Sequence, residues 1–398
     1  MKIDIEKLDD FGRGIGYIDG KITFVPNTVP GDIVNINIIK EHKKYNEATI
    51  DNFIKYSEDR VKPPCPYFTK CGGCTLQNLS YENTINYKLN KIKNIFTKNR
   101  IDITPKIISN PNPYNYRNKI SLKVVETKIG FYLNNTHNII EIDECLIANP
   151  AINECINYIK NFNIINGNVI IRCNQNEEIL IIIESQDNLT IDIELLKKKI
   201  KLVGIIINNK TFYGKNYLFE RINNTLFKIS YDSFFQVNPY IASELFQLIS
   251  DNIKQYDKVL DLYCGVGTLS LNAASKALSV TGIEIVPNAI LNALFNASLN
   301  DLSNVHFVLN DVSDAIAKIK LDFNKVIVDP PRAGLTKETI DILLKINPTS
   351  IIYVSCDPQT LVRDYKLLSD TYEIEKSYIL DMFSYTYHVE TVLILKKR

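Results

Sequence analysis

The sequence lacks the segments that would place the protein in or across a membrane. No apolar run in the 398 residues approaches the roughly 18 residues of a membrane helix. The chain opens with MKIDIEKLDD, which is charged and has no apolar core of the kind found in a secretory signal. We therefore expect a soluble, cytoplasmic protein that has no membrane partner.

The phosphate-binding loop of ATP-hydrolysing proteins is also missing. The sequence contains neither GxxxxGKS nor GxxxxGKT, which argues against ATP hydrolysis.

The net charge of +1 is not that of a protein that is basic overall. The charge is uneven, however, because residues 63–130 hold 11 Lys or Arg against 3 Asp or Glu. Such a segment is suited to phosphate, although a merely solvated surface is the alternative.

Eight cysteines are too few for a disulfide scaffold in a chain of this length, and in a reducing compartment they indicate metal binding or catalysis. Three of them, Cys65, Cys71 and Cys74, stand close together in CPYFTKCGGC, and Cys145 follows in ECLI. Four thiolates suit either a tetrahedral zinc ion or an iron–sulfur cluster, and the spacing leaves both open. Apart from Cys356, which is discussed below, we interpret the remaining cysteines as packing residues: Cys155, Cys173 and Cys264.

The length predicts two or three domains. Residues 1–60 contain short apolar runs separated by Gly and Pro turns, which favours an OB-like β-barrel with strands at 15–18, 21–25, 33–39 and 47–54. Residues 61–230 read as a mixed α+β domain. Its predicted strands are 119–125, 128–133, 169–173, 179–184 and 202–208, and its predicted helices lie near 81–97 and 151–161. The helix near 80–100 is a candidate to pack on the third domain.

Residues 231–398 alternate short apolar runs with helical stretches, which predicts a buried parallel sheet of the α/β class. The predicted strands are 259–262, 279–283, 305–309, 325–328 and 350–354, followed by an antiparallel closing pair at 374–380 and 389–395.

Carboxylates stand where successive predicted strands end. The first strand leads into DLYCGVGT, a Gly-rich turn, and the next strand ends at Glu284, at a spacing that suits a ribose diol. Asp311 and Asp329 follow the third and fourth strands. The turn lacks a full GxGxxG pattern, which argues against a dinucleotide and for S-adenosylmethionine, a ligand without a pyrophosphate. The fifth strand ends at Cys356 in YVSCDPQT, which is either a packed cysteine or a nucleophile presented at the sheet edge.

Four segments, DLYCGVGTLSL, IVDPPRAGL, YVSCDPQTLVRD and DMFSYTYHVETVLIL, together resemble the RNA uracil-C5 methyltransferases. The resemblance implies a class I methyltransferase fold. It implies that Cys356 adds to C6 of the uracil and that Glu390 removes the C5 proton. His388 is close to Glu390 in the sequence and is an alternative base, although nothing in the spacing favours it. Donor contacts are implied, with Thr268 as a weaker candidate, for Gln236, Tyr263, Glu284, Asp311 and Asp329. Either Phe234 or Phe235 could stack on an extruded base, although a core aromatic residue is the alternative.

The resemblance also implies a 4Fe–4S cluster on Cys65, Cys71, Cys74 and Cys145, and a TRAM domain for the N-terminal barrel. The combination resembles the ribosomal-RNA members of the family, so we expect a monomer that methylates 23S rRNA and binds no DNA. The same chemistry on tRNA is the first alternative. A catalytically silent RNA-binding or chaperone protein is the second, but Cys356 and Glu390 are both present. A DNA-cytosine methyltransferase would place its catalytic thiol in a Pro-Cys context, whereas Cys356 follows Ser355.

Overall fold

The computed structural model describes residues 1–134, 136–316 and 319–398. Within these residues the strands form sheets of six, seven, two and eight strands. Each sheet is built from consecutive strands of the chain, except that one short strand from the middle of the chain joins the last sheet. No helix in the described residues is long and apolar enough to cross a membrane.

The N-terminal sheet has the strand order β1-β5-β6-β4-β3-β2. Its strands are β1 (Lys2–Asp4), β2 (Lys7–Leu8), β3 (Gly14–Ile18), β4 (Lys21–Val25), β5 (Ile33–Glu41) and β6 (Tyr45–Lys55). The sheet curls so strongly that β3 comes close to β1. A Cβ atom on Gly16 of β3 would stand 2.4 Å from the carbonyl oxygen of Asp4 in β1. Only glycine permits that approach. Ile3, Val34 and Ile36 form the small core inside the curl.

The middle sheet has the order β10-β9-β8-β11-β12-β13-β14. The elements from residue 81 to residue 214 are α1 (Tyr81–Lys98), β7 (Lys106–Ile108), β8 (Lys119–Val125), β9 (Lys128–Tyr132), β10 (Ile139–Glu141), α2 (Pro150–Ile159), β11 (Gly167–Cys173), β12 (Glu178–Glu184), α3 (Ile193–Lys199), β13 (Lys201–Ile207) and β14 (Lys210–Gly214). Cys155 and Cys173 are buried among Ile and Leu side chains of this unit, which confirms them as packing residues.

The largest sheet has the order β19-β18-β17-β20-β21-β23-β22-β7. The remaining elements are β15 (Tyr217–Ile222), β16 (Thr225–Ser230), α4 (Pro239–Asp251), β17 (Lys258–Leu262), α5 (Thr268–Ala274), β18 (Ser279–Glu284), α6 (Pro287–Leu299), β19 (Val305–Leu309), α7 (Val312–Ile316), β20 (Lys325–Val328), α8 (Lys337–Ile346), β21 (Ser350–Ser355), α9 (Pro358–Leu368), β22 (Tyr372–Leu380) and β23 (Glu390–Lys397). Strands β17 to β21 are parallel, and β23 is antiparallel to both β21 and β22, as predicted for the closing pair. The strand order reverses direction between β17 and β20, which opens a ligand crevice at the carboxyl ends of these strands.

Two elements from the 61–230 interval join the large sheet. Helix α1 buries Ile92, Ile95 and Phe96 in the same core as side chains of β17 and β20. Strand β7 pairs in parallel with β22 at the edge of the sheet. The helix near 80–100 therefore packs on the C-terminal sheet, whereas the short strand β7 was not predicted.

Candidate active site

The Gly-rich turn after β17 presents open backbone to the crevice. Gly265 and Gly267 both adopt left-handed conformations, with φ of 55° and 85°. No atom of the described residues lies within 4 Å of the position that a Cβ on Gly265 would take, whereas a Cβ on Gly267 would stand 3.0 Å from the Phe307 ring. Glycine is therefore needed at residue 267 for packing, and residue 265 leaves room for a ligand to approach the backbone.

Two carboxylates stand at this turn. One Glu284 oxygen accepts from the Gly265 amide at 3.1 Å, and the other accepts from the amides of Ile285 and Val286. Asp261 is fully buried and accepts from the Ser270 hydroxyl at 2.5 Å, while its second oxygen has no hydrogen-bond partner among the described residues. Burial, with the Asp329 and Glu284 charges, raises the pKa of Asp261 to about 7. Such an unpaired buried oxygen is costly unless a ligand or water donates to it.

The other predicted donor residues surround the same edge. Asp329 directly follows β20, and Asp311 stands two residues after the end of β19 and is exposed. Tyr263 takes a left-handed φ of 66°, and its hydroxyl lies 3.2 Å from the Thr339 hydroxyl. Thr268 is the first residue of α5.

Gln236 is buried in the segment that joins β16 to α4. Helix α6 ties that segment to the Gly-rich turn, because Asn292 donates to the Ser233 hydroxyl at 3.0 Å and Asn296 donates to the Val266 carbonyl at 3.2 Å. The segment is thus held beside the crevice, although nothing in the sequence pattern of α6 indicates these amide contacts.

Strand register brings Cys356 and Glu390 together. Ser355 of β21 is paired with Thr391 of β23, so the next residue of one strand and the preceding residue of the other, Cys356 and Glu390, are cross-strand neighbours. Cys356 is half-buried at the junction between β21 and α9, and Asp357 caps the helix by accepting from the amides of Gln359 and Thr360. The thiol therefore has a fixed backbone and a partly open side.

The charges around the thiol oppose one another. Burial and the nearby Glu390 and Asp329 carboxylates raise the pKa of Cys356 to about 11, while the Arg332 guanidinium acts in the lowering direction by its charge and a hydrogen bond. Burial and Asp329 raise the pKa of Glu390 well above its usual range. The pKa of Asp329 rises to about 7, again through burial. A thiol, two carboxyls and one guanidinium thus form a single electrostatic group.

His388 is a poor alternative base in this arrangement. Burial, assisted by the positive charges of Arg332, Lys91 and Lys88, lowers its pKa to about 4. It is neutral near pH 7, but a base with so low a pKa accepts a proton weakly.

A buried polar network, which the sequence did not reveal, holds the loop that leads to Glu390. Lys88 of α1 and Asp381 form an ion pair at 2.5 Å, and Lys88 also donates to the Phe383 carbonyl at 2.9 Å. The Tyr81 and Ser384 hydroxyls each donate to the other Asp381 oxygen at 2.6 Å. The only hint in the sequence is that Lys88 stands four residues before Ile92 on the apolar face of α1.

The two adjacent phenylalanines have opposite environments. Phe235 is 5% exposed, and its ring centroid lies 5.6 Å from that of Phe227 in the core. Phe234 is 72% exposed. Of the two candidates, only Phe234 is free to stack on a ligand.

Three of the four predicted metal-ligating cysteines line one cavity. Cys71, Cys74 and Cys145 surround a space of about 370 Å³, together with Arg117 and Ile147. Burial raises the pKa of Cys74 to about 12, with smaller contributions from the other three cysteines of the set, so Cys65 lies within electrostatic reach as well. In the described parts of the chain, no three His, Cys, Asp or Glu side chains are grouped so that they could hold one metal ion.

Comparison with known proteins agrees with this architecture. Residues 80–398 match the family described as tRNA (Uracil-5-)-methyltransferase, and residues 1–50 match the TRAM domain. An RNA methyltransferase of Clostridium acetobutylicum is 35% identical over 100% of this chain and 96% of its own length. One of Caldanaerobacter subterraneus is 36% identical over 100% of this chain and 98% of its own length.

A solved structure, the tRNA (uracil-54, C5)-methyltransferase of Pyrococcus abyssi in complex with S-adenosyl-L-homocysteine, superimposes with a TM-score of 0.83. It is 28% identical, and the match covers 99% of this chain and 100% of that one. The family match, the full-length relatives and the class I sheet with its crevice lead to one conclusion. This chain belongs to the tRNA (uracil-5-)-methyltransferase family and is an S-adenosylmethionine-dependent RNA (uracil-C5-)-methyltransferase.

Proposed function

We propose that the protein methylates C5 of a uridine in 23S rRNA through a covalent bond between Cys356 and C6 of the base. The observation that carries this proposal is the placement of Cys356 and Glu390 as cross-strand neighbours at the carboxyl edge of the sheet. In this arrangement Cys356 would attack C6 of the base and Glu390 would take the proton from C5. The donor crevice opens beside them.

The first step is addition of the Cys356 thiolate to C6. C5 of uracil is a weak nucleophile, and the addition turns the base into an enolate whose C5 can attack a methyl group. The thiol must first lose its proton, which passes to solvent at the exposed side of the half-buried Cys356. Arg332 favours the thiolate by charge and by a hydrogen bond, against the opposing effect of burial and of the two carboxyls.

The crevice has features that fit the methyl donor. The open backbone at Gly265 and the carboxylate of Glu284 offer partners for a nucleoside with hydroxyl groups. S-adenosylmethionine supplies the methyl group and is a sulfonium cation. Tyr263, Asp311, Asp329 and Gln236 complete the proposed donor pocket, and a cation there favours the ionised form of neighbouring carboxyls.

Glu390 is the proposed base for the last step. After methylation, C5 carries both a proton and the methyl group. The Glu390 carboxylate takes the proton, the C5–H electrons form the C5–C6 double bond, and the C6–S bond breaks to release the thiolate. The raised pKa of Glu390 makes its carboxylate a stronger base than an exposed glutamate.

The target base must leave its stack to reach Cys356. Extrusion costs a few kcal/mol and is cheaper from a loop or a single strand. Phe234 is exposed and lies in the same segment as Gln236, and it is the proposed platform for the extruded base. Base–aromatic stacking of this kind contributes about 1–3 kcal/mol.

The cysteine cavity is the proposed site of a 4Fe–4S cluster held by Cys65, Cys71, Cys74 and Cys145. Three thiols line the cavity and the Cys65 thiol lies within electrostatic reach of Cys74, so the four together offer the donor set that such a cluster requires. The described residues contain no group of three such side chains placed to hold one metal ion, so the preference for a cluster over zinc rests on the family resemblance.

The choice of 23S rRNA rests on the resemblance of barrel and cysteine loop to the ribosomal-RNA members of the family. A second candidate is tRNA. It is favoured by the Pyrococcus abyssi enzyme, which matches this chain over 99% of its length and acts on tRNA. Either substrate would place the reaction in the cytoplasm.

Mapping of 5-methyluridine in rRNA and tRNA from cells that lack the protein decides between them. We expect one or two 5-methyluridines to disappear from 23S rRNA, while every tRNA position stays modified. Loss of a tRNA position with intact 23S rRNA would replace the first candidate with the second. If both RNAs keep all their 5-methyluridines, the proposed function is wrong.

A further inference from the structure

The residues that follow the cysteine loop are hydrogen-bonded to the segment that precedes Glu390. The amides of Thr75 and Leu76, directly after Cys74, both donate to the Tyr385 carbonyl at 3.0 Å. The Thr75 hydroxyl oxygen accepts from the Tyr387 amide at 3.1 Å. Two parts of the chain that lie more than 300 residues apart are thus joined three residues before the proposed base.

The joined segment has an unfavourable backbone conformation that needs this support. Tyr385 has a left-handed φ of 60°, which costs a bulky L-residue on the order of 1–3 kcal/mol. Its ring is buried, stacks on Tyr114 with centroids 4.8 Å apart and lies 5.7 Å from the Tyr81 ring. A strained residue persists only where its surroundings over-determine it, and the Thr75 contacts supply part of that constraint.

Other elements hold the neighbouring residues of the segment, and the Tyr116 hydroxyl donates to the Ser384 carbonyl at 3.3 Å. Lys91 of α1 donates to the Tyr387 carbonyl at 2.8 Å, and Lys88 holds the Phe383 carbonyl. Both lysines lie on the same helix, whereas the Tyr385 carbonyl accepts from the amides of Thr75 and Leu76, which directly follow the cysteine loop. Tyr387 is followed by His388 and Val389, and Glu390 begins β23.

We infer that the cysteine loop is a positioning element for Glu390 and that Thr75 is the residue through which it acts. The inference rests on the proposed function, because it takes Glu390 as the base for the elimination step. Thr75 touches no reacting atom. Its hydroxyl fixes Tyr387, which sets where β23 begins and so where the Glu390 carboxylate stands relative to C5. The cysteines, with any cluster they hold, thereby affect the elimination step without contacting the substrate.

The test is Thr75→Val, which removes the hydroxyl and keeps the shape of the side chain. Amide hydrogen exchange of peptides covering residues 384–391 should become about fivefold faster, as expected for one lost hydrogen bond. In single-turnover reactions with S-adenosylmethionine and RNA, the methylated protein–RNA adduct should form at the normal rate and decay about tenfold more slowly. Affinity for S-adenosylmethionine and iron content should stay unchanged. Thr75→Ser, which keeps the hydroxyl, should restore both exchange and decay.

Two reference variants make the outcomes distinguishable. Thr97→Val, at an exposed position of α1, should alter neither exchange nor decay. Glu390→Gln should trap the methylated adduct, and failure to do so would overturn the base assignment and this inference with it. If Glu390→Gln traps the adduct but Thr75→Val exchanges and decays like the wild-type protein, only the inference is wrong. The same holds if Thr75→Val prevents adduct formation altogether, because its effect would then not be on the elimination step.

Discussion

Replacing Lys88 with Met tests the buried network that holds the loop before Glu390. Lys88 and Asp381 are each 1% exposed and form an ion pair, and Met fills much of the space of the lysine stem. The change therefore leaves a buried carboxylate without its cation, with only two hydroxyl donors. Removing one partner of a buried pair costs about 3–5 kcal/mol of the free energy of unfolding. At an unfolding entropy of about 2.1 cal/mol/K per residue, the melting temperature should fall by about 4–6 °C.

Thermal unfolding followed by circular dichroism measures this change. The matched control is Lys93→Met on the same helix, where the lysine is exposed and the melting temperature should move by about 1 °C or less. Adding Asp381→Asn to Lys88→Met should recover part of the loss, because the orphaned charge is then removed. If Lys88→Met melts together with Lys93→Met, the network does not stabilise the fold, and our account of how the Glu390 loop is held is wrong.

Three further predictions concern the site. Arg332→Met removes the charge that lowers the Cys356 pKa, so the acidic limb of the pH profile of kcat/KM should move to higher pH. Arg332→Lys keeps the charge and should keep part of the wild-type position of that limb. Identical profiles for the three proteins would contradict a role for Arg332. Phe234→Ala should raise KM for RNA by about 5- to 150-fold through lost stacking without changing S-adenosylmethionine affinity, whereas Phe235→Ala should lower the free energy of unfolding by about 3–5 kcal/mol. Cys71→Ser should lower iron and sulfide content and weaken RNA binding, and titration with S-adenosylmethionine should give a nearly unchanged Kd; a large loss of donor affinity would mean that the cysteine loop and the crevice are coupled.

The parts of the fold that the sequence predicts are those with a local pattern. The strands Lys21–Val25, Lys119–Val125 and Val305–Leu309 coincide with their predicted limits, because alternation or an apolar run between turns marks each of them. Strand β7 escaped prediction, since three residues carry no period and its pairing with β22 joins distant parts of the chain. Sheet order is non-local in the same way.

The site shows the same division. Strand-end carboxylates such as Glu284 follow from local pattern and the known geometry of parallel sheets. That Cys356 faces Glu390 depends on the antiparallel pairing of β21 with β23, which only the resemblance to a family could suggest. The Lys88–Asp381 pair and the Thr75 contact to Tyr387 were not foreseen, because each depends on the fold to bring distant residues together.

The most direct test of the central claim is to trap the covalent bond between Cys356 and the base. RNA transcripts of 23S rRNA and tRNA that contain 5-fluorouridine carry fluorine in place of the C5 proton that Glu390 would remove. After incubation with S-adenosylmethionine, digestion and mass spectrometry should find one methylated fluorouridine attached to the peptide that contains Cys356. Cys356→Ala should form no adduct while still binding S-adenosylmethionine. An adduct on another residue, or full methylation of ordinary RNA by Cys356→Ala, would contradict the account.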